Sequence, residues 1–277
     1  MSELREIAAG VRLLALRTPT LPPATATNTL VVGHRRLAVI EPATPFADEQ
    51  AALDELLDAL VGTGAEVAAI LLTHHHQDHT GYATALRKRT GAPIHAHALT
   101  AARLDFPVDV LLADGEEVAL DDGFSLAAMF TPGHAPGHLV FFERRTGLAY
   151  AGDMVAGTGT ILIDPEDDGD MIAYLASLER IAAARPTALI PAHGPALDDP
   201  QACLARYRAH RLMREERILA AIPSTWRAVS AVLAEAYADT PSVLWPLAAR
   251  SLEAHVRKLD AEGRVLRRGS DVSAAAR

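Results

Sequence analysis

The chain has 277 residues, of which 49% are apolar and 22% charged. That composition excludes an intrinsically disordered segment, and the length allows one large domain or two ordinary ones. The net charge of −9 is unevenly spread: residues 1–202 carry 13 basic and 27 acidic side chains (net −14), whereas residues 203–277 carry 13 and 8 (net +5). Such a split predicts two domains with different partners, 1–202 and 203–277.

No apolar run approaches the roughly 18 residues that would cross a membrane, so no membrane partner is expected. Met1 to Gly10 alternates charged and apolar residues and lacks the apolar stretch of a secretory signal. A single cysteine, Cys203, excludes an internal disulfide and suits a reducing compartment, so a cytoplasmic location is expected.

Val11 to Leu16, Asn28 to Val32 and Leu37 to Ile40 read as successive strands, with the Pro- and Thr-rich segment Thr18 to Ala26 as a loop. Phe46 to Val61 places Leu53, Leu56, Leu57 and Leu60 at helical spacing and is closed by Gly62 and Gly64. Val67 to Leu72 is an unbroken apolar run, the pattern of a strand buried on both faces. A second helix runs from Tyr82 to about Arg89, ended by Gly91 and Pro93. Strands alternating with helices predict an α/β sandwich.

The stretch that follows the buried strand is Thr73-His74-His75-His76-Gln77-Asp78-His79-Thr80-Gly81. Imidazoles and a carboxylate at the exit of a buried strand are costly to desolvate unless a charge compensates them. Neutral imidazole with carboxylate suits Zn, Fe or Mn better than Mg or Ca. In a tight turn His74 and His76 can share one ion, with Asp78 and His79 one step further along for a second. A tag-like histidine run or a solvated loop is the bland alternative. The run is internal, follows a core strand and contains an aspartate, all of which favour metal.

This His-x-His-x-Asp-His stretch resembles the signature of the metallo-β-lactamase superfamily of binuclear hydrolases. Further elements of that family recur downstream. Thr131-Pro132-Gly133-His134-Ala135-Pro136-Gly137-His138 resembles the family's Thr-Pro-Gly-His-x-x-Gly-His loop, whose first histidine completes the first metal site. His134 is therefore expected as a ligand, and His138 as a residue that orients a neighbour by hydrogen bonding. Tyr150-Ala151-Gly152-Asp153 is similar to the segment carrying the family's bridging carboxylate. Ala188-Leu189-Ile190-Pro191-Ala192-His193-Gly194 delivers a histidine like the family's last ligand.

The resemblance covers residues 11–197 and implies an αββα sandwich holding two divalent ions, Zn with Mn or Fe as alternatives. His74, His76 and His134 would bind one ion. Asp78, His79 and His193 would bind the other, with Asp153 and a bridging hydroxide between them. Asp78 would also orient the nucleophile, which makes it the catalytic side chain.

Three places stand apart. Glu41-Pro42 departs from the family, whose strand here ends in an aspartate closely followed by glycine; Glu41 either supports the metal shell with a longer arm or faces solvent. Ile94-His95-Ala96-His97 is a second His-x-His, but strand alternation puts both rings on one face with no carboxylate beside them, so both are read as structural. Gly157-Thr158-Gly159-Thr160 reads as a loop near the metals that contacts substrate, and Asp164 to Asp170 as a solvated lead-in to a helix over Met171 to Ala184.

Beyond residue 203, helical stretches over Leu204 to Ala221, Thr225 to Ala238 and Val243 to Glu262 precede a basic strand, Gly263 to Gly269. Helix–helix–helix–wing predicts a small winged-helix-like domain. Leu252 to Gly263 resembles the tail of the β-lactamase-like-protein-2 group, which carries such a domain.

Three functions compete. The leading one is a metal-dependent hydrolase of a small ester, thioester or lactone. The alternative is an endoribonuclease on single-stranded RNA, the activity that the resemblance to that group implies, with the basic tail as its grip. A non-enzymatic nucleic-acid-binding protein fits poorly with a complete ligand set. The acidic 1–202 segment and the scarcity of aromatics, 5% of the chain, favour a small substrate. β-Lactam hydrolysis of the type that needs a cysteine at the second metal has no cysteine to use.

Overall fold

The structure, a computed structural model, describes residues 4–121 and 123–275. The first three residues of the Met1 to Gly10 stretch lie outside these. The chain separates into two compact units, one formed by Met1–Thr131, Gly137–Ile161 and Ile181–Pro200, the other by Pro132–Pro136, Leu162–Arg180 and Gln201–Arg277.

The first unit begins with β1 (Leu4–Ala8), β2 (Val11–Arg17), β3 (Ala26–Val32), β4 (Arg36–Ile40), α1 (Ala47–Val61) and β5 (Glu66–Leu71). The histidine-rich turn contains a one-turn helix, α2 (Gln77–Thr80), followed by α3 (Ala83–Thr90), β6 (Ile94–Ala96), α4 (Ala98–Ala101) and β7 (Val110–Leu111). These seven strands form one sheet in sequence order, antiparallel from β1 to β4 and parallel from β4 to β7. A second sheet of β8 (Glu117–Ala119), β9 (Ser125–Phe130), β10 (Leu139–Glu143), β11 (Leu148–Gly152) and β12 (Ala188–Pro191) is ordered β12-β11-β10-β9-β8.

One apolar core contains Leu30, Ile40, Ala69 and Leu71 from the first sheet and Leu126, Phe141, Tyr150 and Ile190 from the second. A separate core on the outer face of the first sheet packs Val39, Ile70 and Leu72 against Leu53, Leu57 and Leu86 of the helices. β5 therefore alternates between two cores, which is why its sequence is apolar without interruption. Gly91 ends α3 in the left-handed region, at φ 76°, as expected of a glycine after a helix.

The second unit contains most of α5 (Met171–Ala184), then α6 (Pro200–Ala221), β13 (Arg227–Ala228), α7 (Val229–Ala236), α8 (Trp245–Ala261), β14 (Val265–Arg268) and β15 (Asp271–Ala274). The helix expected from Thr225 starts instead at Val229, because Arg227 and Ala228 pair with Val272 and Asp271. That pairing is set by residues more than 40 positions away, beyond the reach of a local pattern. β14 and β15 form the wing. The acidic lead-in is largely solvated as expected, with Glu166, Asp167, Asp168 and Asp170 exposed; Asp164 caps a short 3-10 turn over Pro165–Asp167 and accepts from Arg250 at 2.6 Å.

Arg264 and Arg267 of the wing reach acidic partners within the unit, whereas Arg268 stays exposed. Glu215 of α6 is 2% exposed and accepts from Lys258 Nζ and Arg264, both at 2.9 Å. Arg267 pairs with Glu253 at 2.9 Å, and Arg268 lies over the Trp226 ring and 3.9 Å from Asp271. Burial pushes the Glu215 carboxyl up, but His255 and Lys258 more than offset that and hold it below its ordinary value. Glu215→Ala is expected to cost about 1–3 kcal/mol, because Lys258 and Arg264 lose a buried acceptor while Lys258 keeps Glu262 at 2.7 Å. Both tryptophans, Trp226 and Trp245, lie in this unit, so denaturant unfolding followed by their fluorescence reads the loss. In the parent protein the contribution is present above the ordinary carboxylate range and fades as pH falls through the depressed folded-state value.

Candidate metal centre

The centre forms where β4, β5, β11 and β12 end. Beyond β5 the chain stays buried through Leu72, Thr73 and His74, and then turns into α2 with His76 as its N-cap. His74 Nε2 meets His76 Nδ1 at 2.9 Å, while His74 Nδ1 is held by Thr73 Oγ1 at 2.8 Å. Two imidazoles two residues apart thus converge, as the spacing predicts. Asp78 and His79 lie on α2.

Glu41 settles its own alternatives: it is fully buried and does not face solvent. Its backbone has φ 53°, a conformation that costs a non-glycine residue about 1–3 kcal/mol and persists only where the surroundings enforce it. The carboxylate accepts from the Thr73 backbone N–H at 3.0 Å and from the Thr73 hydroxyl. Its other oxygen lies 2.5 Å from His79 Nδ1 and 3.1 Å from the Tyr150 hydroxyl, which donates to the Asn28 carbonyl at 2.5 Å.

His79 Nε2 lies 3.6 Å from Asp78 Oδ1 and 3.8 Å from Asp153 Oδ2. Burial alone would lower the His79 pKa, yet Glu41, Asp78 and Asp153 raise it to about 10. The site therefore concentrates negative charge, and without another cation the imidazole takes a proton to balance it. His193, on the turn after β12, presents Nε2 at 3.4 Å from Asp153 Oδ1 and 3.6 Å from Asp78 Oδ2. Its Nδ1 donates to the Ala26 carbonyl at 2.9 Å. Burial raises the Asp78 pKa, but His79, a hydrogen bond from Thr20, His193 and His76 together bring it below its ordinary value.

His138 has both ring nitrogens in contact with the protein. Its Nε2 accepts from the Asp153 backbone N–H at 3.1 Å, and its Nδ1 contacts Thr131 Oγ1 at 2.9 Å. Burial first, and then the charges of His79 and His76, press its pKa to about 3, so the ring stays neutral. It positions Asp153. His134 stands on the Pro132–Pro136 loop with Nδ1 held by the Leu162 carbonyl at 2.9 Å.

Among the described residues, two trios of buried or half-buried side chains within the first unit bring donor atoms within 4.8 Å of one another: Asp78, His79 and His193; and Glu41, His74 and His79. The donor set fits a divalent ion of the zinc type, and His79 Nε2 is buried with no hydrogen-bond partner among the described residues. His95 and His97 stay apart from the centre. The strand ends at Ala96, so His97 is not on it as expected: its side chain caps α4, and its ring stacks on Phe130 at 4.4 Å.

Several supporting residues carried no signal in sequence. Tyr150 falls inside a recognised stretch but had no assigned role. Asn28 reads only as a strand residue, yet its side-chain amide donates to the Pro191 and Gly194 carbonyls at 2.8 Å each and so brackets His193. The Gly157–Thr160 loop also braces this turn: the Gly157 and Thr158 N–H groups donate to the His193 carbonyl at 2.7 and 3.2 Å.

The sequence profile of the Metallo-beta-lactamase superfamily matches residues 22–193, and that of the Beta-lactamase associated winged helix domain matches residues 229–274. The chain belongs to the metallo-beta-lactamase superfamily, and it is a hydrolase-family α/β sandwich followed by a winged helix. It is 29% identical over 270 residues to a beta-lactamase-like protein 2 homolog of Drosophila melanogaster, covering 92% of this chain and 89% of that one. It is 32% identical over 206 residues to a hydroxyacylglutathione hydrolase of Fuscovulum blasticum, covering 69% and 74%. A crystal structure of a beta-lactamase domain protein from Burkholderia ambifaria superposes with a TM-score of 0.85 at 18% identity over 99% of this chain and 94% of that one.

Gly152 lets β11 pass the centre. It has φ 50°, and a Cβ there would lie 2.6 Å from His138 Nε2 and 3.0 Å from Thr73 Oγ1. Gly152→Ala is expected to destabilise the protein by about 1–3 kcal/mol, from backbone strain and displacement of His138. Thermal unfolding of the metal-free protein measures it, and an unchanged midpoint would contradict this account of the close approach.

Proposed function

We propose that the centre holds two divalent ions and hydrolyses a small thioester, with esters or lactones as related substrates. His74, His76 and His134 would bind one ion, and Asp78, His79 and His193 the other, with Asp153 between them. The observation that carries the reading is the convergence of His79 Nε2, His193 Nε2 and the Asp78 and Asp153 carboxylates within 3.4–3.8 Å. Divalent ions bound there would acidify a water and polarise the carbonyl under attack.

The chain's own residues prepare that step. Asp78 stays ionised and orients the attacking water. Glu41 fixes the His79 ring from behind, the Ala26 carbonyl fixes His193, and His138 holds the Asp153 backbone. Water oxygen bonds to the acyl carbon, the carbon–sulfur bond breaks, and the thiol leaves with a proton.

A thioester is favoured over RNA on two grounds. The similar hydroxyacylglutathione hydrolase is named for a thioester substrate. In addition, Arg264, Arg267 and Arg268 already have acidic partners within their own unit, which weakens them as phosphate contacts. We also propose that residues 1–202 form the catalytic domain and 203–277 the winged-helix domain, a division supported by the separate profile matches at 22–193 and 229–274.

Elemental analysis after reconstitution with Zn, Mn or Fe should find two ions per chain; a value held at one or below refutes the binuclear assignment. The loaded protein should cleave an S-(2-hydroxyacyl)glutathione and lose that activity to a chelator. Asp153→Ala should lose more activity than His138→Ala, and Glu41→Gln should weaken metal affinity by about 10–100-fold. Cleavage of short RNA with no thioester turnover would replace this reading by the nuclease.

A further inference from the structure

The loop between β2 and β3, residues 18–25, reads from sequence as a plain Pro- and Thr-rich connection. In the structure it closes against two candidate ligands of one ion, Asp78 and His193. Its base is locked at several points. The buried Thr18 and Thr27 hydroxyls lie 2.8 Å apart, and the Thr18 N–H donates to the Thr25 carbonyl at 3.2 Å. The Thr27 hydroxyl donates to the Asp78 backbone carbonyl at 2.8 Å, which leaves Thr18 as the donor within the threonine pair. The adjacent Ala26 carbonyl takes the His193 Nδ1 proton at 2.9 Å. One loop base therefore grips the backbone of Asp78 and the ring of His193.

Thr20 stands half-buried on the loop fixed in this way, with Oγ1 3.5 Å from His193 Nε2. Its hydroxyl also donates to the Asp78 carboxylate. Both contacts fall on the donor groups that the second ion would use, since Nε2 is the ring nitrogen of His193 left free by Ala26. A hydroxyl has a single proton, and the charged carboxylate is a stronger acceptor than a neutral imidazole. The proton is therefore best spent on Asp78. A carboxylate oriented before an ion arrives loses less freedom when it binds one.

We propose that Thr20 is a positioning residue of the metal centre, whose hydroxyl holds the Asp78 carboxylate in the orientation that lets Asp78 and His193 serve the same ion. This inference rests on the two-ion reading given above. It assigns a role to the β2–β3 loop that no local pattern reveals, because Thr20 lies 173 residues from His193. Thr20 binds neither ion nor substrate in this account and acts through Asp78 alone.

The test is zinc titration of the full-length protein against a chromophoric chelator, for the parent, Thr20→Val and Thr20→Ser. Valine keeps the shape and removes the hydroxyl, whereas serine keeps the hydroxyl and removes the methyl group. Thr20→Val should weaken one of the two zinc sites by about tenfold, the low end of the range for groups that support a ligand, and leave the other unchanged. Thr20→Ser should bind as the parent does. Thermal unfolding of the metal-free protein checks that Thr20→Val folds; if it does not, Thr20→Ala takes its place with the same expectation. Equal zinc affinities in parent and variant, the same loss at both sites, or a loss that serine fails to restore would overturn this inference alone. A parent protein that takes up no more than one zinc ion would overturn the two-ion reading, and this inference with it.

Discussion

The contact on which the centre depends is the fully buried pair between Glu41 and His79, 2.5 Å apart. Three forces meet there. The Glu41 backbone is held in a strained conformation, its carboxylate is removed from water, and two further donor groups, the Thr73 N–H and the Thr73 hydroxyl, converge on it. A buried carboxylate is tolerable only when paired and hydrogen-bonded. Here the pairing also fixes which nitrogen of His79 faces Asp78 and Asp153. Fold and chemistry are thus joined through one side chain: β4 supplies it, β5 supplies Thr73, α2 supplies His79, and β11 supplies Tyr150.

The same economy holds around the other ligands. Three of the candidate ligands have one ring nitrogen engaged by the protein, His74 by Thr73, His134 by the Leu162 carbonyl and His193 by the Ala26 carbonyl. Rings held in this way lose little freedom when they bind an ion, and their tautomers are set in advance. His138 shows the complementary use of an imidazole. With both nitrogens engaged by the protein and its charged form suppressed, it serves as a neutral strut under Asp153.

The winged-helix unit's net positive charge suggested a nucleic-acid grip, and part of that charge is paired within the unit: Glu215 collects Lys258 and Arg264, Glu253 collects Arg267, and Arg268 covers Trp226. The fold-level expectation of helices followed by a wing was sound, whereas the start of α7 was displaced by a strand pairing that local periodicity does not encode.

The sequence by itself determined the kinds of donor and their spacing. His74-x-His76-x-Asp78-His79, the His134 loop, Asp153 and His193 are all legible because ligand chemistry and turn residues are local properties, and β5 is legible because burial on two faces leaves an unbroken apolar run. Only the tertiary structure decided what Glu41, Tyr150 and Asn28 touch. Glu41 is separated by 38 residues from His79 and by 109 from Tyr150, and Asn28 by 163 from Pro191. Tyr150 and Asn28 look ordinary in their own windows, and the window of Glu41 left its role open. Each one's role comes from which strand faces it across the sandwich, and that is settled by the packing of two sheets on a shared core.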